Sequence, residues 1–116
     1  MESGQDVRLQ RIVNALKGER PEKIILFGSR AYGNPRDNSD YDICVVKRID
    51  ASSDDEYNNE YYRLAKIVRD ACPDTATDFV LYQPDDFEEE RDISAFVAFD
   101  ISRKGKVLYD GNITKG

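Results

Sequence analysis

The sequence predicts an α/β (α+β) chain in which short apolar strands alternate with amphipathic helices, and three stretches carry that prediction. Lys23-Ile24-Ile25-Leu26-Phe27 is apolar at both alternations, as a strand covered on both faces must be. From Asp54 to Ala71, the residues Tyr57, Tyr61, Leu64, Ala65, Val68 and Ala71 share one helical stripe. Thr77-Asp78-Phe79-Val80-Leu81-Tyr82 alternates instead, with Phe79 and Leu81 on one face and Asp78, Val80 and Tyr82 on the other.

In chain order, Val7, Ile12, Val13 and Leu16 recur at near-helical spacing and predict a first helix over Asp6 to Leu16 that stops at Gly18. Pro21 then breaks the chain before the strand Lys23–Phe27, whose double-sided apolarity places it centrally in the sheet. A short helix is expected from Arg30 to Gly33, followed by a turn-rich segment through Ser39 and a second strand from Asp40 to Val46. Ser53 or Asp54 can cap the helix of residues 54–71, with Asp54, Asp55 and Glu56 favourably placed at its positive end. Pro73 ends that helix. Beyond the third strand, a helical segment starts at Pro84. Over Ile93 to Ile101 a helical reading places Ile93, Phe96, Val97 and Ile101 on one face, and Ala95, Ala98 and Phe99 on another. Lys106 to Tyr109 is expected as a last strand.

Chemistry concentrates between Phe27 and Val46. On a strand, Asp40 and Asp42 project from the same face while Tyr41, Ile43 and Val45 point the other way. Two parallel carboxylates make a poor core and a good site for a hard cation such as magnesium, which takes oxygen ligands and shares them with substrate phosphates. Gly28, directly after a strand, permits close backbone approach, and the Ser29 hydroxyl with neighbouring amides can grip phosphate oxygens. Arg30 and Arg36 are cations within reach of such phosphates. An aspartate inside the third strand, Asp78, is costly there unless paired, hydrogen-bonded or bound to metal; Asp74, in a loop after Pro73, is its weaker rival.

The order Gly28-Ser29, ten intervening residues, then Asp40-Tyr41-Asp42 resembles the signature of the polymerase-beta-like nucleotidyltransferase superfamily. The extended form, Gly28-Ser29-Arg30-Ala31-Tyr32-Gly33 followed by Ser39-Asp40-Tyr41-Asp42, is similar to its minimal nucleotidyltransferase branch, over about Pro21 to Tyr109. That resemblance implies a small mixed β-sheet with helices packed against it. It implies catalytic and metal-holding roles for Asp40, Asp42 and Asp78 with two Mg2+ ions, and nucleotide-binding roles for Gly28, Ser29, Arg30 and Ser39 with ATP as substrate. Small stand-alone members resemble the antitoxins of toxin-antitoxin pairs, so the resemblance further implies transfer of AMP to a hydroxyl, typically of tyrosine, on a HEPN-type RNase toxin, and a hetero-oligomer with that toxin.

Composition narrows the field. Residues 1–116 are read as one minimal domain. The chain has no histidine, so triads, general bases and metal sites built on histidine within it are excluded. Cys44 and Cys72 lack a metal-binding spacing and are expected as free, partly buried thiols in a reducing cytoplasm. A net charge of -6 argues against stable nucleic-acid binding, because affinity there depends on neutralising phosphates with Lys and Arg. No apolar run reaches the length of a membrane span, so a soluble, cytoplasmic protein without a membrane partner is expected. Two alternative functions stand beside transfer to a toxin: an antitoxin that silences its partner by covering it, and an adenylyltransferase acting on a small molecule. The acidic run Asp85 to Asp92, followed by the apolar Ile93 to Ile101, is expected to dock a basic helical partner if one face of that segment is left uncovered.

Overall fold

The computed structural model describes residues 6–32, 40–50 and 53–111. Helix α1 (Val7–Lys17) starts at Asp6, whose carboxylate accepts from the Leu9 amide at 3.2 Å, and ends at Gly18. Strand β1 (Lys23–Phe27) leads into the short helix α2 (Ser29–Tyr32), and β2 (Tyr41–Val46) into α3 (Asp54–Ala71). Ser53 caps α3 by accepting from the Glu56 amide. Strand β3 (Thr77–Tyr82) is followed by α4 (Pro84–Glu90), α5 (Val97–Lys104) and β4 (Lys106–Asp110).

The sheet runs in the order β3-β2-β1-β4. β1 is antiparallel to both β2 and β4, whereas β2 and β3 are parallel and joined through α3, the crossover that a parallel pair requires. The mixed sheet expected for the family is therefore present. β1 lies inside it, in agreement with its apolar residues at both alternations.

Each face of the sheet buries its own cluster. On one face Ile24, Leu26, Tyr41, Ile43, Val45 and Leu81 pack against Ile12 and Leu16 of α1 and Leu64 and Val68 of α3. On the other, Ile25, Cys44 and Val46 meet Phe87 of α4 and Ala98 and Ile101 of α5. Both cysteines are free and buried, and burial pushes the Cys44 thiol up to about 12, which keeps it protonated and unreactive. Two bonds tether α3 to the outer edge of β3: the Tyr57 hydroxyl donates to the Leu81 carbonyl at 2.5 Å and the Tyr61 hydroxyl to the Phe79 carbonyl at 3.3 Å.

One expected element differs. Residues 93–96 are not helical, and α5 begins only at Val97. Successive amides bond three residues back, Ile93 to Glu90, Phe96 to Ile93 and Phe99 to Phe96. Three-residue steps shift the phase of the 3.6-residue stripe that the sequence pattern assumed. Ala98 and Ile101 become the buried positions, and Ile93, Phe96 and Val97 stay 43%, 45% and 43% exposed. β4 does not cover them, because it extends the sheet beside β1 instead.

The junction from α5 to β4 depends on Gly105. A Cβ there would sit 2.5 Å from the Ile101 carbonyl oxygen and 2.6 Å from Ile25 Cγ2, both held by the core. Gly105→Ala is expected to destabilise the chain by about 1–3 kcal/mol through overpacking. Gly18→Ala, where φ is -66° and nothing lies within 4 Å of the added carbon, is expected to stabilise it by about 0.4–1 kcal/mol. Urea unfolding of the two variants beside the parent chain checks both signs.

Candidate active site

The site forms where three strands meet at one end of the sheet. β1 finishes at Phe27, which lies opposite Asp42 of β2 in the antiparallel register. Asp42 in turn lies beside Asp78 in the parallel register of β2 and β3. The chain leaves β1 through Gly28, in the left-handed region at φ 74°, where the Ala31 amide returns to the Gly28 carbonyl at 3.0 Å. Glycine is required here twice over. Any other residue would be strained at that φ, and its Cβ would fall 1.8 Å from Asp42 Oδ2. The turn is thus shaped around the Asp42 carboxyl group.

The Asp42 and Asp78 carboxyl groups are neighbours in this register, close enough to share a proton when the pH is low enough for one of them to hold it. The Asp42 carboxyl is accordingly pushed up to about 6, first by desolvation, then by the hydrogen bond to Asp78 and the negative charges of Asp78 and Asp40. Asp40 stands exposed immediately before β2. Among the described residues no set of three acidic or sulfur ligands is already drawn together as a metal cage. The donor set nevertheless fits a hard divalent cation: it offers carboxylate oxygen alone, and the negative charges of Asp78 and Asp40 that act on Asp42 are ones a cation would offset.

Asp78 reaches this position for a reason the sequence pattern did not contain. β3 is an edge strand and Asp78 is exposed, so the expected cost of burying it inside an apolar strand does not arise. Its constraint is the neighbouring acid, Asp42. Asp74 is exposed as well, and accepts a long hydrogen bond of 3.7 Å from Cys72 Sγ.

Ser29 is exposed at the start of α2, directly after the Gly28 turn. Arg30 is turned to the other side of the strand, its guanidinium 4.0 Å over the Tyr41 ring. Ser39 and Arg36 lie outside the described residues. Tyr41 is a part of the site that sequence reasoning passed over as a residue facing away from the carboxylates. Its ring is buried, and its hydroxyl donates to Asp6 at 3.0 Å while receiving a hydrogen bond from Arg8. The strand that carries Asp40 and Asp42 is thereby tied to the start of α1 and, through Arg30, to α2. The only available signal was an aromatic residue between two acids.

The raised Asp42 value has a definite consequence. Protonated Asp42 favours the folded state, and that contribution, complete below its ordinary 3.8, is lost as pH rises through about 6. The metal-free protein is expected to lose thermal stability over this window, and magnesium is expected to restore it at pH 7.5. Asp42→Asn should flatten the loss, raise the metal-free melting temperature at pH 7.5 and abolish the response to magnesium. Melting curves across pH with and without MgCl2 measure all three.

The profile of the polymerase beta nucleotidyltransferase family matches residues 10–114. The protein adenylyltransferase MntA of Aphanizomenon flos-aquae (strain 2012/KM1/D3) is 33% identical over 89 residues, which are 75% of this chain and 55% of that protein. The chain thus spans about half the length of this curated relative. Among solved structures, the crystal structure of a toxin-antitoxin with AMP-PNP superposes with a TM-score of 0.58 at 26% identity, covering 90% of this chain and 75% of the other. A Sulfolobus solfataricus protein assigned as a nucleotidyltransferase shares the fold, with a TM-score of 0.51 at 19% identity over 96% of this chain and 95% of that one. With the family profile covering nearly its whole length and the turn and carboxylates in register, the chain belongs to the polymerase beta nucleotidyltransferase family.

Proposed function

We propose that this chain is a minimal nucleotidyltransferase domain that transfers AMP from ATP to a hydroxyl, that of a tyrosine, on a partner HEPN-type RNase toxin in the cytoplasm, and so acts as the toxin's antitoxin. The observation that carries the reading is the contact of Gly28 with Asp42 beside Asp78, which joins the backbone turn after β1 to a pair of neighbouring acids. Support for the adenylyl group and for the toxin comes from the MntA relative and from the toxin-antitoxin structure with AMP-PNP. The absence of histidine leaves proton removal to carboxylates.

In this reading the acceptor oxygen gives up its proton and forms a bond to the α-phosphorus of ATP. The bond between that phosphorus and the α,β-bridging oxygen breaks, and pyrophosphate leaves. Asp40, Asp42 and Asp78 would hold magnesium, and a pair of ions bound there would supply charge neutralisation of the phosphates and a lowered pKa for the acceptor hydroxyl. Asp78, on the outer strand, accepts the hydroxyl proton. The Gly28 backbone and the Ser29 hydroxyl, with Ser39, hold the departing phosphates, while Arg30, stacked on the Tyr41 ring, steadies the start of α2 from behind.

The experiment incubates the purified protein with α-labelled ATP, MgCl2 and its co-expressed neighbouring protein. Label is expected on a tyrosine of the neighbour, and only when the divalent cation is present. Asp78→Asn is expected to slow single-turnover transfer by about 10²–10⁴-fold while leaving ATP affinity comparatively intact. Transfer undiminished in excess chelator, or in Asp42→Asn, rejects the reading.

A further inference from the structure

We infer that the open groove between α3 and the outer edge of β3 is the acceptor site, built to take an aromatic side chain that carries a hydroxyl; this rests on the nucleotidyl transfer proposed above. The groove has a volume of about 570 Å³, within the range of about 300–1,000 Å³ typical of small-ligand sites. Asp42 and Asp78 form one wall, and Tyr61, Ala65 and Arg69 of α3 with Phe79 of β3 form much of the rest.

Position is the first argument. Across the sheet the order is β3, β2, β1, so Asp42 has the Gly28 turn on its β1 side and Asp78 with the groove on its β3 side. The groove reaches across Asp42 as far as Phe27 at the end of β1, but neither Gly28 nor Ser29 lines it. In an in-line displacement the incoming oxygen and the leaving pyrophosphate lie on opposite sides of the phosphorus being transferred. If the turn holds the leaving phosphates, the acceptor must come from the opposite flank, and that flank is the groove.

Wall chemistry is the second. The Tyr61 and Phe79 rings lie 5.4 Å apart between centroids and tilted by 50°, and the Tyr61 hydroxyl is engaged by the Phe79 carbonyl. A ring entering between α3 and β3 therefore finds aromatic surface held in place, which favours it over a short aliphatic alcohol. Ala65 leaves the room that a larger residue at that helix position would fill. Arg69 is two-thirds exposed and only 3.9 Å from Asp70, a weak pairing, so its guanidinium can exchange that partner for a carbonyl or carboxylate of the acceptor chain. Phe79 and Asp78 lie on opposite faces of β3, so the hydroxyl of an aromatic side chain seated here would reach Asp78 round the outer edge of that strand.

The test uses N-acetyl-tyrosinamide as the acceptor probe and AMP-PNP with MgCl2 as the nucleotide probe. In amide spectra of the full chain, N-acetyl-tyrosinamide is expected to shift signals of Tyr61, Ala65, Arg69 and Phe79, and N-acetyl-serinamide to leave them in place. Ala65→Phe should weaken N-acetyl-tyrosinamide binding by at least about tenfold while the AMP-PNP affinity, measured by calorimetry, changes less than about twofold. Arg69→Glu, an exposed change that leaves the fold alone, should raise the KM for the co-expressed protein acceptor with kcat retained. A parallel loss of AMP-PNP affinity in Ala65→Phe would make the groove the seat of the nucleotide base and overturn the inference. So would N-acetyl-tyrosinamide shifts confined to other residues. Because the spectra need no turnover, a wild-type protein that binds both probes and transfers nothing would defeat the proposed function and leave this site standing.

Discussion

Everything about the site depends on one close approach, that of the Asp42 carboxyl group to the bare Cα of Gly28. The contact is fixed by the antiparallel register that sets Phe27 opposite Asp42, and this register is held by the apolar residues around it. Ile43, Cys44, Val45 and Val46 are all buried, alternately in the two clusters on either side of the sheet. A slip of one residue would turn each of them to the wrong face and would bring Tyr41 to the place of Asp42. The core therefore does more than stabilise the fold. It sets the separation between the turn and the acid.

That separation carries an electrostatic cost, which the chain localises. Asp42 is partly desolvated, bordered by Asp78 and acted on by Asp40, and together these push its carboxyl up to about 6. The rest of the acid-rich surface is arranged differently: Glu60 is held by Arg63 and Lys47, and these ion pairs keep its carboxyl below its ordinary value. The acids of the site have no such basic partner among the causes acting on Asp42. A group of like charges left together in a protein that pairs them elsewhere is poised for a cation supplied from outside.

The regular elements were legible because their signals are local. Lys23–Phe27, Asp54–Ala71 and Thr77–Tyr82 have the bounds that apolar alternation and the helical stripe indicate. Capping by Ser53 and the stop at Gly18 follow from backbone groups a few residues away. The failure at residues 93–96 is of the same local kind, since three-residue hydrogen-bonded steps look like a helix to a 3.6-residue count until the phase has drifted. Asp78 was found by type and position, but the argument from burial was mistaken. Whether a strand lies at the edge is a property of topology, and nothing within Thr77–Tyr82 records that β3 pairs on one side only. The groove was hidden for a similar reason, because it joins residues of α3 and β3 that no motif connects.

The least legible part is the far side of the strand that carries Asp42, β2. A period of two obliges the residue between two same-facing acids to enter the opposite face, so position 41 had to be buried if Asp40 and Asp42 were to be presented. A small apolar residue would have met that requirement. Tyrosine does more, because its hydroxyl extends past the core to Asp6 and Arg8, 35 and 33 positions earlier in the chain, and its ring lies under Arg30. Asp6 at the same time caps α1. Burial and the hydrogen bond to Asp6 raise the Tyr41 pKa above its ordinary value, so the hydroxyl remains a donor throughout the neutral range. The strand bearing the acids and the helix following the Gly28 turn are thus joined through the sheet from behind. The two halves of the site cannot move apart without breaking a contact that lies on neither of its exposed surfaces.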